Sequence, residues 1–164
     1  MSSKKDKHYL NLALNLAKNM EGLTGTNPSV GSVLVKNDEV ISLASTGYNG
    51  TPHSEFSLLN KIDKKITKGS SLYVTLEPCS HYGRTPPCTN IIIDKKISRL
   101  VFGAHDIDER SSKRAKQILK SKKIKVKNIK SSSEILSFYG MYGSFSFVGL
   151  PKSGLKKSSH IIFF

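Results

Sequence analysis

The sequence predicts an α/β fold in three layers, with a mixed five-stranded sheet between helices. Two observations point there. Helical and strand periods alternate along the chain in the order α-β-β-α-β-α-β-α-β, and the first two strands are joined as a hairpin. The length of 164 residues suits one domain with a core of its own.

Each element has a local reason. Leu10, Ala13, Leu16, Ala17 and Met20 recur at helical spacing over residues 8–20, and Gly22 and Gly25 stop the helix. Residues 23–31 (LTGTNPSVG) carry turn chemistry. Val30, Val33 and Val35 alternate into a strand, Lys36-Asn37-Asp38 turns, and Val40 to Ala44 returns. Residues 45–52 are irregular. A helix over about 54–66 places Phe56, Leu59 and Ile62 on one side and ends at Gly69. A strand at 71–76 precedes the loop 78–87, whose three prolines exclude regular structure. A short helix at 88–96, a strand at 100–103, a Lys-rich helix at 110–122 and a strand at 124–126 follow. The domain is placed at residues 1–130. Residues 131–164 are read as a basic tail of Gly, Ser and Phe, with the composition of a truncated or disordered remnant and no sustained period from 139 on.

Composition narrows the function classes. No apolar run is long enough to span a bilayer. Asn11, Asn15, Lys18 and Asn19 interrupt any secretory apolar segment, and two cysteines are too few for a disulfide scaffold. The expectation is a soluble, cytoplasmic protein. The net charge is +14, concentrated at the C-terminal end, where residues 111–164 hold twelve Lys and Arg against the single acid Glu134. A basic half can mark a nucleic-acid partner. The Lys-rich part of this stretch, residues 111–130, has no interleaved aromatics for base stacking, so the basic end is read as a solvated helix and tail.

The chemistry gathers around the two cysteines. Cys79 and Cys88 each follow a proline, and His53-Ser54-Glu55 lies upstream at another helix start. One His and two Cys supply three protein ligands for Zn²⁺ and leave a fourth position open, the arrangement of a catalytic zinc. Glu55 is close enough to exchange protons there. An H-x-E followed by P-C-x-x-C marks the zinc deaminases. Here the second Cys comes nine positions after the first instead of three. Two ordinary buried thiols and a chance H-x-E are the plain alternative, weakened by their order and their placement at helix starts.

The stretch from Thr75 to Cys88 (TLEPCSHYGRTPPC) resembles the zinc loop of one branch of the cytidine-deaminase-like superfamily, the deaminase domain of the bifunctional riboflavin biosynthesis deaminase–reductase. Asn27-Pro28-Ser29-Val30-Gly31 and Gly50-Thr51-Pro52-His53-Ser54-Glu55 resemble that family's segments in order and spacing. The resemblance covers about residues 8–130. It implies hydrolytic deamination of 2,5-diamino-6-ribosylamino-4-pyrimidinone 5′-phosphate to the aminouracil and ammonia. It implies zinc on His53, Cys79 and Cys88, with Glu55 as the proton shuttle. Asn27, His81, Arg84, Asp106 and Asp108 become the substrate contacts, Arg84 as the cation for the phosphate. It also implies a homo-oligomer.

This chain departs from the family pattern in four places. His-Ala-Glu is His53-Ser54-Glu55; Thr46 stands where many members have His; D-P-N-P is Asp106-Ile107-Asp108-Glu109; and residues 131–164 hold no nicotinamide-binding segment. A separate reductase is therefore expected. His8, His105 and His160 have no motif partner and are read as surface or packing residues. Two other functions compete: a nucleic-acid or nucleoside deaminase, which the long Cys79–Cys88 loop argues against, and a non-catalytic zinc module, which Glu55 argues against.

Overall fold

The computed structural model describes residues 3–106, 114–129 and 133–147. The elements are α1 (Ser3–Lys18), β1 (Gly31–Lys36), β2 (Glu39–Ser45), α2 (Ser54–Leu59), α3 (Lys64–Thr67), β3 (Ser71–Leu76), α4 (Cys88–Asp94), β4 (Arg99–Ala104), α5 (Arg114–Ser121), β5 (Lys125–Asn128) and α6 (Ser133–Phe147). The strands form one five-stranded sheet in the order β2-β1-β3-β4-β5. β1 is antiparallel to both β2 and β3, whereas β3–β4 and β4–β5 are parallel. The sheet is mixed and covered on both faces, as the sequence predicts.

The period of two along each strand sorts the core into two layers. Val33, Val35, Tyr73 and Val101 face α1 and α6 and pack with Leu10, Ala13, Leu14, Ile135 and Phe138. Leu34, Leu72, Val74, Leu100 and Phe102 face the other side and pack with Leu58, Leu59, Ile92 and Leu119. α1 lies so close on β1 that a Cβ at Gly31 would fall on the carbonyl of Ala13. Only glycine permits that approach. At the outer edge, β5 carries exposed Lys125 and Lys127, charges that discourage pairing with another strand.

Three differences from the sequence reading have physical causes. The helix expected over 54–66 is two helices, because Asp63 accepts a hydrogen bond from the Lys65 N–H at 2.6 Å and caps a new start. The first helix begins at Ser3, five residues early, because the buried ion pair of Asp6 draws that turn onto the sheet. The expected tail begins instead with α6. Its Ile135, Phe138 and Tyr139 are buried, so the packed unit runs past the boundary set at residue 130. The Tyr139 hydroxyl donates to the Ser29 carbonyl at 2.8 Å and lies 2.6 Å from Thr75 Oγ1. The remainder of the tail, 148–164, lies outside the described residues. Among those described, no helix is long and apolar enough to cross a membrane.

Candidate metal centre and active site

The site forms where the starts of α2 and α4 meet the loop that leaves β3. His53 is the residue before α2, and its side chain makes no capping hydrogen bond, which leaves the imidazole available. Cys88 is the first residue of α4, after Pro87. Cys79 lies three residues beyond the end of β3. The fold thus brings together side chains up to 35 positions apart in the chain.

The three groups converge. His53 Nδ1 lies 3.5 Å from Cys79 Sγ and 3.4 Å from Cys88 Sγ. All three donor atoms lie within 4.8 Å of one another. An ion about 2.3 Å from sulfur and about 2.0 Å from nitrogen, at tetrahedral angles, sets N and S about 3.6 Å apart. The spacing and the one-nitrogen, two-sulfur donor set therefore fit zinc.

The electrostatics point the same way. The Cys79 thiol is lowered to about 4, chiefly by the hydrogen bond from the Cys88 thiol, and also by His53 and the Cys88 backbone N–H. That N–H donates to Cys79 Sγ at 3.2 Å. Cys88 is pushed well up, because the same hydrogen bond and its burial disfavour a second anion. His53 is raised, mainly by its hydrogen bond with Cys79. Burial raises Glu55, and the Cys79 charge adds to it. A cluster that resists its second negative charge is one that a divalent cation completes.

The cavity beside this centre has a volume of about 650 Å³. Asn27, His53, Glu55, Cys79, His81, Arg84 and Asp106 line it, so seven of the nine expected site residues share one space. Cys88 instead lines a smaller apolar cavity behind His53. Asp108 lies outside the described residues.

Asn27 is held firmly. Its Nδ2 donates to the Gly50 carbonyl at 3.1 Å, and Thr24 Oγ1 donates to its own carbonyl at 2.7 Å. Gly50 has φ +84°, and a Cβ there would come within 2.6 Å of the Asn27 amide. Glycine is required on both counts.

Sequence reasoning missed part of the wall. Asn49, Thr51 and Glu77 also line the cavity. Glu77 is buried, and its Oε2 lies 2.7 Å from Nδ1 of His105, a residue for which the sequence pattern predicts only a surface or packing place. The adjacency of Glu77 to Pro78-Cys79 was the available signal. Thr46 also lines the cavity and accepts a hydrogen bond from the Val30 N–H at 3.0 Å.

A mixed sheet carrying a His before α2, a Cys at the start of α4 and a second Cys in the loop after β3, where the sequence predicts a helix or turn start, with a buried Glu beside them, defines a zinc-binding domain of the deaminase type. A family model of the cytidine and deoxycytidylate deaminase zinc-binding region matches residues 3–104. The chain belongs to that family. It is 48% identical over 101 residues to the riboflavin biosynthesis protein RibD of Aquifex aeolicus, covering 62% of this chain and 28% of that protein. It is 37% identical over 123 residues to a diaminohydroxyphosphoribosylamino-pyrimidine deaminase of Buchnera aphidicola, covering 75% and 83%. The crystal structure of Acinetobacter baumannii RibD superimposes with a TM-score of 0.77 at 33% identity, over 88% of this chain and 41% of that one. The chain thus spans well under half the length of the RibD proteins it matches.

Proposed function

We propose that this domain hydrolytically deaminates 2,5-diamino-6-ribosylamino-4-pyrimidinone 5′-phosphate, releasing ammonia and the corresponding aminouracil. The observation that carries the proposal is the convergence of the His53, Cys79 and Cys88 donor atoms beside a cavity lined by His53, Cys79 and Glu55 together with Asn27, His81, Arg84 and Asp106. The likeness to the Buchnera deaminase, most of whose length is covered, supports it.

His53, Cys79 and Cys88 would hold zinc, which when bound would supply the Lewis acidity that lowers the pKa of water toward neutral. Glu55 is the group that takes a proton from the attacking water and returns one to the departing amine. With Nδ2 engaged by Gly50, the Asn27 side chain presents its Oδ1 as an acceptor for a ring or amino N–H of the pyrimidine. His81 helps recognise the base. Arg84, exposed on the wall, offers its planar fork to the phosphate. Asp106, on the same cavity wall, is the acceptor we assign to a sugar hydroxyl. A homo-oligomer and a reductase acting on the product belong to the same proposal.

The test is ammonia release from that substrate by zinc-loaded protein, compared with Glu55→Gln. The substitution lowers kcat by about 10²–10⁴-fold while zinc content stays the same. Equal release by the two proteins would remove Glu55 from the chemistry. No release by the unaltered protein would overturn the choice of substrate.

A further inference from the structure

Ser54 stands between the metal ligand His53 and the acid–base candidate Glu55, where the related family carries alanine. It is completely buried, and so is Ser32, which lies on β1 with Leu34 on the face that α2 covers. The two hydroxyl oxygens are 2.6 Å apart. Ser54 Oγ also donates to Glu55 Oε2 at 3.2 Å, and Glu55 is only 3% exposed.

The directions of these hydrogen bonds follow from the chemistry. Ser54 Oγ is the donor to the carboxyl oxygen Oε2, so the Ser54 proton points to Glu55. Ser54 then accepts from Ser32, whose hydroxyl would otherwise be buried without that partner. The result is an ordered chain, Ser32 to Ser54 to Glu55, that ties the acid–base candidate to β1, an inner strand of the sheet.

We infer that Ser54 is a positioning residue, which fixes the Glu55 carboxylate through Oε2 and leaves Oε1 to serve the reacting atoms. The inference rests on the reading of Glu55 as the proton shuttle. A carboxylate that must take a proton at one point and deliver it at another loses efficiency when it can rotate, because proton transfer needs hydrogen-bond geometry at both ends. At 3.2 Å this hydrogen bond is longer than a tight charge-assisted one, and it biases the carboxylate toward one orientation.

The test uses Ser54→Ala and the double variant Ser32→Ala/Ser54→Ala in the full chain. Ser54→Ala leaves the Ser32 hydroxyl buried without its partner, so the melting temperature falls by about 3 °C, and kcat falls by roughly tenfold or more with KM unchanged. Removing both hydroxyls restores the melting temperature, because no orphaned group remains, but does not restore kcat. Recovery of kcat together with stability would make the pair merely structural and overturn the inference. So would an unchanged kcat in Ser54→Ala.

A crystal structure of Ser54→Ala decides the point without any substrate. The Glu55 carboxylate should turn from its place or occupy more than one rotamer; an unmoved, single conformer refutes the proposal. If the substrate assignment alone is wrong, unaltered protein releases no ammonia while this structural readout still stands.

Discussion

On the α1 face of the sheet, Asp6 is wholly buried between two cations. Across the sheet, at the starts of α2 and α4, Glu55 is just as deeply buried among two thiols and one imidazole. The first cluster is neutralised by the protein itself. Arg99 grips Asp6 with both ends of its fork, at 2.8 and 2.7 Å, Lys127 donates at 2.9 Å and the Tyr73 hydroxyl at 3.1 Å. Burial alone would raise the Asp6 carboxyl, but the hydrogen bonds from Arg99 and Lys127 bring it down to about 2. The second cluster brings together more groups that become anions than cations, and Cys88 is pushed well up, first by its hydrogen bond to Cys79 and by burial and then by the nearby Glu55 and Cys79 charges. Burial is common to both. What separates them is whether the chain carries its own counter-charge. A cluster that does is a strut, and one that does not is a place for a ligand.

The largest effect that can break this comparison is on metal. Cys88→Ser removes one of two soft donors, and zinc content measured by mass spectrometry falls from about one per chain to near none. Asp6→Ala leaves zinc content unchanged. Retention of zinc by Cys88→Ser would mean that the second cluster does not depend on its thiols.

Stability comes next, with the roles reversed. Asp6→Ala strips the carboxylate from Arg99, whose side chain is only 17% exposed, and lowers unfolding free energy by about 3–5 kcal/mol in urea. The contribution depends on acid. A carboxyl depressed from 3.8 to about 2 stabilises the fold fully above pH about 4 and loses that support as pH falls toward 2. The gap between the two values amounts to roughly 2 kcal/mol. The stability difference between the unaltered protein and Asp6→Ala therefore shrinks between pH 5 and 2.5, and a difference independent of pH would contradict the assigned pairing.

The smallest effect sharpens the comparison from outside. Lys64 and Asp94 pair at 2.7 Å but are 46% and 64% exposed. Lys64→Ala changes stability by less than about 1 kcal/mol, because water screens an open pair.

The metal half of the site was legible in the sequence because its signal is local. His53 and Glu55 sit two apart at the start of α2, and both cysteines follow prolines, Cys88 at the start of α4 and Cys79 in the loop after β3, so the motif is visible along the chain. The opposite wall was legible only in part. Asn27 and Arg84 stood in recognisable segments, but the Asn27–Gly50 clamp joins two loops 23 residues apart. The Glu77–His105 pair bridges the ends of β3 and β4, and neither His105 nor its partner carries a periodic signal. The Ser32–Ser54 contact joins a strand to a helix across 22 residues, and a serine in an H-x-E looks like a neutral exchange until its neighbour is known.

Local sequence pattern was enough for the mixed sheet, the two-sided core and the three residues that could hold a metal. Alternating apolar residues commit each strand to two faces, and the spacing of His, Glu and Cys is set along the chain. Tertiary structure alone decided α6 and the polar contacts between elements. Residues 133–147 are apolar around most of the helix and interrupted by Gly140 and Gly143, so no amphipathic period announces it. It becomes a helix whose first half is core because Ile135, Phe138 and Tyr139 find β3, β4 and the Ser29 carbonyl waiting, and packing overrides weak local preference.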